Sequence, residues 1–410
     1  MEGSALGTSL LTFPPPGTAA QGPVALNPEI VDQLRSHRLT RFERRTQSSQ
    51  WLIGYQRMIE GRTSNAPRGT RYGDPDWVRA PRVARCSWRI GEIVSVHSNP
   101  TTGMANYSGI ERCASVWACP PCAAVIRSHR AKEIALAVNS HMERGGGLYF
   151  LTLTLRHKIS DDLRITLDHS LKAWQRAQSR RDFTRLRDRL ELVGSVRSTE
   201  ITYGVNGWHP HHHILIFTRS PATEEMSHVV ENAIYDIWLR VLESLEARAP
   251  SRERGCTVKP VKDDGRVLAS YVSKLQEHDR PRLTSVANEV ARADWKLGRR
   301  GSLVPFEFLD GGSEDYERLW LEYYVATHGR RAFSWTKGLR ALTLPSYLIK
   351  GLSDDEAVDI SADRQIRLVL SASEYDERVK NQPAVMAVIL NLIERDDVAT
   401  ASVLGGHSSA

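Results

Sequence analysis

The stretch that decides the fold is His209-Pro210-His211-His212-His213-Ile214-Leu215-Ile216-Phe217. Its branched and aromatic end predicts a buried β-strand. Because side chains alternate along a strand, His209, His211 and His213 share one face, and His212 lies on the other with Ile214 and Ile216. Imidazoles at every second position can hold one divalent ion. We therefore predict a metal site; a solvated histidine cluster is the alternative that the apolar continuation disfavours.

The preceding segment, 193–203, predicts a partner strand, and Asn206-Gly207 is a strong hairpin signal. If that pair forms a two-residue turn, Glu200 faces His213, and we predict Glu200 as an oxygen ligand. Pro210 then faces Tyr203, where the ladder needs a donor that proline lacks, so a longer loop remains open. A one-residue slip would turn Glu200 away from the metal, which leaves a strand-edge carboxylate as the alternative.

Periodicity and turn residues predict strands at 148–155, 193–203, 208–217 and 257–261 and helices at 123–143, 161–192, 224–245 and 266–277. We predict an α+β fold in which a central antiparallel sheet carries the histidine strand and helices flank it. The expected units are a disordered tail (1–26), a basic N-terminal helix and loop (27–82), a cysteine element and helix (83–145), the histidine-bearing core (146–280), a basic and aromatic extension (281–345) and a small C-terminal helical unit (353–398).

The N-terminal region and the hydropathy predict a soluble, cytoplasmic protein. The first basic residue is Arg35, so no charged segment precedes the apolar stretch near the start. No apolar run reaches the roughly 18 residues that a membrane-spanning helix needs. In the cytoplasm thiols stay reduced, so the five cysteines favour metal binding or inert thiols over disulfides.

Four of these cysteines predict a structural zinc site. Cys119-Pro-Pro-Cys122 is a CxxC turn, which lets two thiolates reach one ion, and Cys113 and Cys86 are the natural third and fourth ligands. A redox-active pair and ordinary buried thiols are the alternatives. Cys256 stands alone at a strand start and is interpreted as a core thiol.

The predicted helix around Leu268 to Leu275 places Tyr271 and Lys274 on one face. A free phenol has a pKa of about 10. A metal or the Lys274 ammonium can stabilise its phenolate and make it a nucleophile. Packing is the commoner role of a tyrosine on such a helix, so this interpretation depends on the histidine strand.

The charge balance favours a polyanionic partner, because 55 Lys and Arg stand against 48 Asp and Glu, for a net charge of +7. Residues 176–189 contain six arginines, and basic and aromatic residues alternate around 330–340. Basic groups contact phosphates and aromatic rings stack on unpaired bases, whereas a solvated face is the alternative. The candidate DNA-binding residues are Arg180, Arg181, Arg185, Arg330, Arg331 and Trp335.

In their order along the chain, these motifs resemble those of the rolling-circle plasmid replication initiators of the HUH endonuclease superfamily. FLTLT at 150–154 resembles the first motif, HPHHHILIF at 209–217 the second, and YVSK at 271–274 the third. The flanking EITYGVNGW, RCASVWACPPC and WKLGRRGSLVPFEFL resemble the large plasmid Rep branch. The resemblance covers residues 83 to 340.

The resemblance implies that His211 and His213 bind Mg²⁺ or Mn²⁺ and that Tyr271 attacks DNA to form a 5′-phosphotyrosine. It implies that 146–280 is a nuclease core that nicks and rejoins one strand. It further implies a plasmid double-strand origin, single-stranded at the nick, and a host helicase and DNA polymerase as partners. Some relatives carry a Glu four residues before the tyrosine, where this chain has Val267. Asp263, Asp264, Glu277 and Glu289 are all candidates for that role.

Other functions remain open from the sequence. A related HUH relaxase or transposase is less favoured, because relaxases usually place the tyrosine ahead of the histidines and transposases are usually shorter. A non-catalytic, zinc-containing DNA-binding regulator is the alternative from another class, and a nicking assay separates it from the enzyme.

Overall fold

Two antiparallel sheets organise the chain in a computed structural model, which describes residues 37–59, 80–100, 103–261, 302–359 and 365–406. The strands are β1 (Ile93–Ser98), β2 (Ala105–Ser108), β3 (Gly147–Thr154), β4 (Leu192–Gly204), β5 (Gly207–Thr218), β6 (Cys256–Pro260), β7 (Phe333–Trp335) and β8 (Gln365–Ser371). The central sheet has the order β6-β3-β5-β4-β7, and the smaller sheet has the order β2-β1-β8.

Helices surround these sheets. They are α1 (Arg38–Ile59), α2 (Pro120–Glu143), α3 (Leu163–Gln178), α4 (Arg181–Arg189), α5 (Glu224–Ser244), α6 (Arg252–Gly255), α7 (Asp315–Thr327), α8 (Leu339–Thr343), α9 (Asp354–Val358), α10 (Ala372–Glu374), α11 (Pro383–Glu394) and α12 (Val398–Gly405). The longer ones begin at conventional signals: Asp162 caps α3, Thr223 caps α5, and prolines occupy the first turn of α2. None of the described helices is both long and apolar enough to cross a membrane.

The turn of the β4–β5 hairpin lies one residue earlier than predicted, which shifts the pairing of the two strands by two residues. Gly204 pairs with Gly207, so the turn residues are Val205 and Asn206, and Glu200 lies opposite His211 rather than His213. Gly207, the first residue after the turn, has a positive φ of 83°, a conformation that glycine adopts without steric cost. Because the shift is by two residues, each side chain keeps its predicted face.

Pro210 fits this register without the loss of a ladder bond. The amides of Thr199 and Tyr203 donate outward, to the carbonyls of Ala332 and Leu303 (both 2.9 Å). Ile201, which shares their orientation and lies opposite Pro210, is therefore in a non-hydrogen-bonded pair of the hairpin. On the other side of β5 the pairing with β3 ends at His211. The difficulty that the predicted register raised for the proline is thus removed.

The central sheet has two differently covered faces. One face bears the β5 residues with even numbers and packs on α3, α4 and α5, with Ile214, Ile216, Trp174 and Trp238 in one buried cluster. The other face, which we call the histidine face, bears the odd-numbered residues of β5. At the Phe217 end it is covered by Ile134, Ala137 and Val138 of α2.

A third cluster combines the cysteines with aromatic rings at the end of the β4–β5 hairpin. Trp208 stacks on Tyr323 of α7 with 6.0 Å between ring centroids, and Tyr323 contacts Trp117 at 6.3 Å. Cys86, Cys113, Cys119 and Cys122 are buried in the same cluster. The cysteine element is therefore part of the core that supports this hairpin.

The expected C-terminal helical unit (353–398) is not an independent helical unit. Its segment Gln365–Ser371 is strand β8, which pairs with β1 of the cysteine element, and helices α11 and α12 follow. Leu368 and Leu370 are buried whereas the intervening Val369 is exposed, so the strand is buried on one face although its apolar run Leu368-Val369-Leu370 does not alternate with polar residues. The prediction for residues 83–145, a cysteine element and a helix, likewise did not include strands β1 and β2. The predicted helix start near residue 27 and the helix 266–277 lie outside the described residues.

Candidate metal centre

Three side chains meet on the histidine face, away from the part that α2 covers. The Nε2 atoms of His211 and His213 lie 3.1 and 3.0 Å from the same atom, Oε2 of Glu200. Their candidate ligand atoms all lie within 4.8 Å of one another. The side chains are 13%, 7% and 5% exposed in the order His211, His213, Glu200. The register explains the convergence, because Glu200 is directly opposite His211 and diagonal to His213.

The hydrogen bonds around His211 leave a ligand atom aimed at the centre. Its Nδ1 lies 3.3 Å from the His209 carbonyl oxygen, which can only accept, so Nδ1 carries a proton. In a neutral ring Nε2 then carries a lone pair, and this lone pair faces the Oε2 atom of Glu200, which is itself an acceptor. Two acceptors at this distance need a cation between them, either a proton or a metal ion. Two imidazoles and a carboxylate suit a divalent ion such as Mn²⁺. Mg²⁺ prefers oxygen ligands, so this set of ligands suits Mg²⁺ less well.

Strand β3 supports the histidines in a way that the sequence interpretation did not assign. Phe150 stacks on the His213 ring, with centroids 5.4 Å apart and planes 11° from parallel. The Thr152 hydroxyl lies 3.3 Å from His213 Nδ1. Such contacts fix the orientation of a ligating imidazole. The alternation in FLTLT was the available signal, because Phe150 and Thr152 share the face of His213 in the antiparallel register.

His209 shares the histidine face but is not one of the clustered groups. Its ring stacks between His211 (5.0 Å) and His157 (4.7 Å), which precedes α3. Burial, followed by the neighbouring His211, lowers the pKa of His209 to about 3, so its ring is neutral. The structure therefore brings together three of the four predicted ligands, and His209 packs beside them. His212 is fully buried on the other face, where Thr199 Oγ1 contacts its Nδ1 at 3.0 Å.

The cysteine element brings four sulfur atoms together. Cys86 Sγ lies 3.5 Å from Cys119 Sγ and 3.7 Å from Cys122 Sγ, and Cys113 Sγ lies 3.8 Å from Cys122 Sγ. A tetrahedral zinc site with Zn–S bonds of about 2.3 Å has edges of about 3.8 Å. All five cysteines are free thiols, and Cys256 lies apart from this group. The spacing of the four therefore fits one zinc ion.

The backbone around these sulfur atoms is shaped for a shared site. Ser87 and Ala114, each directly after a cysteine of the group, have positive φ values of 73° and 52°. Cys119 is the N-cap of α2 and Cys122 lies in its first turn, where the helix dipole favours negative charge. Hydrogen bonds from the other three thiols lower the pKa of Cys86, whereas burial raises the pKa of Cys113.

The residues predicted to bind DNA divide into exposed and internally bonded groups. Arg181, Arg185 and Arg331 are exposed. Arg330 forms an ion pair with Asp168, and its carbonyl accepts a hydrogen bond from Trp117 Nε1 at 2.7 Å. The Arg340 guanidinium lies 4.4 Å from the Trp335 ring centroid.

Arg180 is the N-cap residue of α4 and contacts Asp182 at 3.9 Å. Its position and those of Arg330 and Trp335 are thus explained by contacts within the fold. Tyr271 and Lys274, predicted as nucleophile and partner, lie outside the described residues, as do the four candidate carboxylates Asp263, Asp264, Glu277 and Glu289.

Comparisons with known proteins cover the Glu200, His211 and His213 group and most of the cysteine group. Residues 110–262 match the model of the replication protein family, Rep_1. Over 296 residues the chain is 32% identical to Protein rep of Streptomyces lividans, which covers 57% of this chain and 64% of that protein. Over 146 residues it is 27% identical to a Streptomyces cyanogenus protein named Neomycin resistance protein, which covers 30% of this chain and 33% of that protein.

The chain thus spans slightly less than two thirds of the first of these relatives. No solved structure matches the chain. The family match begins just before Cys113 and ends just after β6, so it includes three of the four clustered cysteines and the whole β4–β5 hairpin. The resemblance to plasmid replication (Rep) proteins is therefore confirmed, and the match to the replication protein family covers residues 110–262.

Proposed function

We propose that this protein initiates rolling-circle replication of a plasmid by nicking one strand of its origin, with a divalent metal ion and a tyrosine nucleophile. The observation that carries the proposal is the convergence of His211 Nε2 and His213 Nε2 on one Glu200 oxygen. Two neutral imidazoles and one carboxylate leave net positive charge on a bound divalent ion, which suits a phosphodiester. The similarity to Protein rep supports replication as the process.

The chain's own residues would divide the chemistry as follows. Glu200, His211 and His213 hold a divalent ion, which polarises a non-bridging phosphate oxygen when bound. The Tyr271 phenolate attacks phosphorus, a Tyr271 O–P bond forms, and the P–O3′ bond breaks. The leaving 3′ oxygen takes a proton from water, and the resulting 3′-hydroxyl primes synthesis. The phosphotyrosine ester conserves the bond, so a later 3′-hydroxyl can attack it and rejoin the strand.

The described residues on either side of segment 262–301 support the proposal that Tyr271 acts at this face. The Val261 amide donates to the Leu148 carbonyl at 2.8 Å, and the Val261 side chain packs in the cluster under α2 on the histidine face. On the other side of residues 262–301, Leu303 pairs with Tyr203 at the hairpin end. Tyr271 thus belongs to a segment attached to the histidine-bearing sheet at both ends. Lys274, three residues on, is proposed to stabilise the phenolate.

A nicking assay tests the proposal. Supercoiled DNA with the cognate origin and Mn²⁺ should become open-circular with the wild-type protein, and a covalent protein–DNA adduct should form. Tyr271→Phe should abolish both, whereas the control Tyr316→Phe should retain both. Nicking by Tyr271→Phe at the wild-type rate would refute the nucleophile. If the wild-type protein binds the origin but forms no adduct with any divalent ion, the chain is a DNA-binding regulator and the enzyme proposal is wrong.

A further inference from the structure

Helix α4 carries an arginine stripe, which we define as Arg181, Arg185 and Arg189. Residues four apart lie on one side of a helix, and a rise of about 1.5 Å per residue spaces their charges by about 6 Å. All three side chains are exposed. Within the described part of the chain, they take part in none of the ion pairs. The stripe is therefore a row of cations directed to solvent.

The carboxylates of α4 do not neutralise this row. Asp182 lies 3.1 Å from Arg240 of α5 and 3.9 Å from Arg180. Asp188 contacts its neighbour Arg187 at 3.4 Å. Both acids are thus paired with other arginines. Among the described residues the stripe thus has no carboxylate partner, and its three charges extend over about 12 Å, a distance along which duplex DNA presents about seven phosphates.

The stripe lies on the opposite side of the central sheet from the metal centre. Phe183 and Leu186 of α4 are buried in the cluster that also contains Ile214 and Ile216, on the face without His211 and His213. Phe183 packs edge-on against Trp174 of α3, with centroids 5.8 Å apart. A DNA segment that is bound at the metal centre therefore cannot also contact the stripe. The stripe must contact a different segment of the DNA.

We infer that the arginine stripe binds the phosphate backbone of duplex DNA, while the histidine face receives the single strand that is cut. Single-strand binding surfaces combine cations with exposed aromatic rings on which bases stack. On α3 and α4 the aromatic rings, Trp174 and Phe183, are buried, so the stripe offers charge without stacking. A row of positive charges without exposed aromatic rings matches the continuous phosphate backbone of duplex DNA. This inference rests on the proposed nicking function for its context but is tested separately.

The test measures binding of the full-length protein to two probes, a 30-base-pair duplex of arbitrary sequence and a 30-nucleotide oligothymidylate. The variant is Arg181→Gln/Arg185→Gln/Arg189→Gln, since glutamine keeps the helix propensity. The control, Arg318→Gln/Arg378→Gln/Arg395→Gln, changes the net charge equally at exposed positions elsewhere. Circular dichroism melting establishes that both variants are folded.

We expect the stripe variant to lose at least tenfold in duplex affinity at low salt. The slope of log K against log salt should fall by about 2 to 3, since each phosphate contact contributes about 0.9. Oligothymidylate affinity and Mn²⁺ binding should stay within twofold of wild type. Unchanged duplex affinity, or an equal loss in the control variant, would overturn the inference. Stripe-dependent duplex binding without any nicking would leave it standing and refute the proposed enzyme instead.

Discussion

Single residues decide what the histidine face can do. His209, His211 and His213 share this face, but only the last two point a nitrogen at Glu200. The reason is the position of the carboxylate, which lies opposite His211, whereas His209 lies opposite Thr202. A run of alternating histidines could therefore predict the face, but the choice of ligands depended on the partner strand.

Glu200→Gln should weaken metal binding, because it keeps the size of the side chain and removes the charge that offsets the ion. We expect Mn²⁺ affinity, measured by isothermal titration calorimetry, to fall at least about tenfold. The control Glu225→Gln changes an exposed carboxylate in the first turn of α5 and should leave the affinity unchanged. Equal affinities of wild type and Glu200→Gln would remove Glu200 from the site.

At the scale of elements, the turn of the β4–β5 hairpin and the cysteine element hold this hairpin in place. Gly207 sets the register at the turn, and a Cβ there would lie 2.7 Å from the Ile159 Cα and 3.1 Å from the Lys158 carbonyl oxygen. The cysteine group lies in the same buried cluster as Trp117 and Trp208. It therefore supports the aromatic residues at the end of the hairpin. Both elements therefore affect the position of Glu200 relative to the histidines.

Gly207→Ala should destabilise the protein by about 1 to 3 kcal/mol, since alanine is strained at positive φ and its methyl group meets backbone. Thermal denaturation measures the loss. Gly54→Ala, in α1 with open space around the added methyl group, is the matched control and should be neutral or slightly stabilising. Equal melting temperatures for both variants would show that the turn does not require glycine.

The purified protein should contain one zinc ion per chain, measured by elemental analysis. Cys119→Ser should lose that zinc and lower the melting temperature, because a buried site would lose one of four ligands. Cys256→Ser should retain the zinc, since Cys256 lies outside the group. Full zinc content in Cys119→Ser would contradict the assigned ligand set.

At the scale of the whole molecule, segments distant in sequence complete one another. Strand β8 pairs with β1, and Arg38 of α1 forms an ion pair with Glu394 of α11 at 2.6 Å. The buried Arg45 guanidinium lies 3.3 Å from the carbonyl oxygens of both Cys86 and Lys380. The C-terminal region is thus joined to the cysteine element.

Deletion of residues 365–410 should lower the melting temperature and promote aggregation. It exposes the β1 edge and removes apolar partners of Val94, Val96 and Phe42 from a buried cluster. Size-exclusion chromatography and thermal denaturation measure the effect. Deletion of 407–410 alone is the control and should behave as wild type. A 365–410 deletion that is monomeric and equally stable would show that the region is an independent unit.

Local pattern alone determined much of this protein. The alternation at 209–217 predicted the histidine face, the bounds of the four predicted strands were within one residue, and the four clustered cysteines were the four expected. Those features depend on neighbours in the chain, since strand periodicity and turn residues act over a few positions. The predicted register was wrong by two residues, but a shift of two residues leaves each side chain on the same face of the sheet. The predicted face of Glu200 was therefore correct.

Only the tertiary structure decided the rest. It placed Glu200 opposite His211, joined β8 to a strand more than 260 residues earlier in the chain, and put the arginine stripe on the side away from the metal centre. It also showed that Arg330 and Trp335 are engaged within the fold. Such features depend on which distant surfaces pack together, and the local hydrophobic pattern of a segment does not identify its partner.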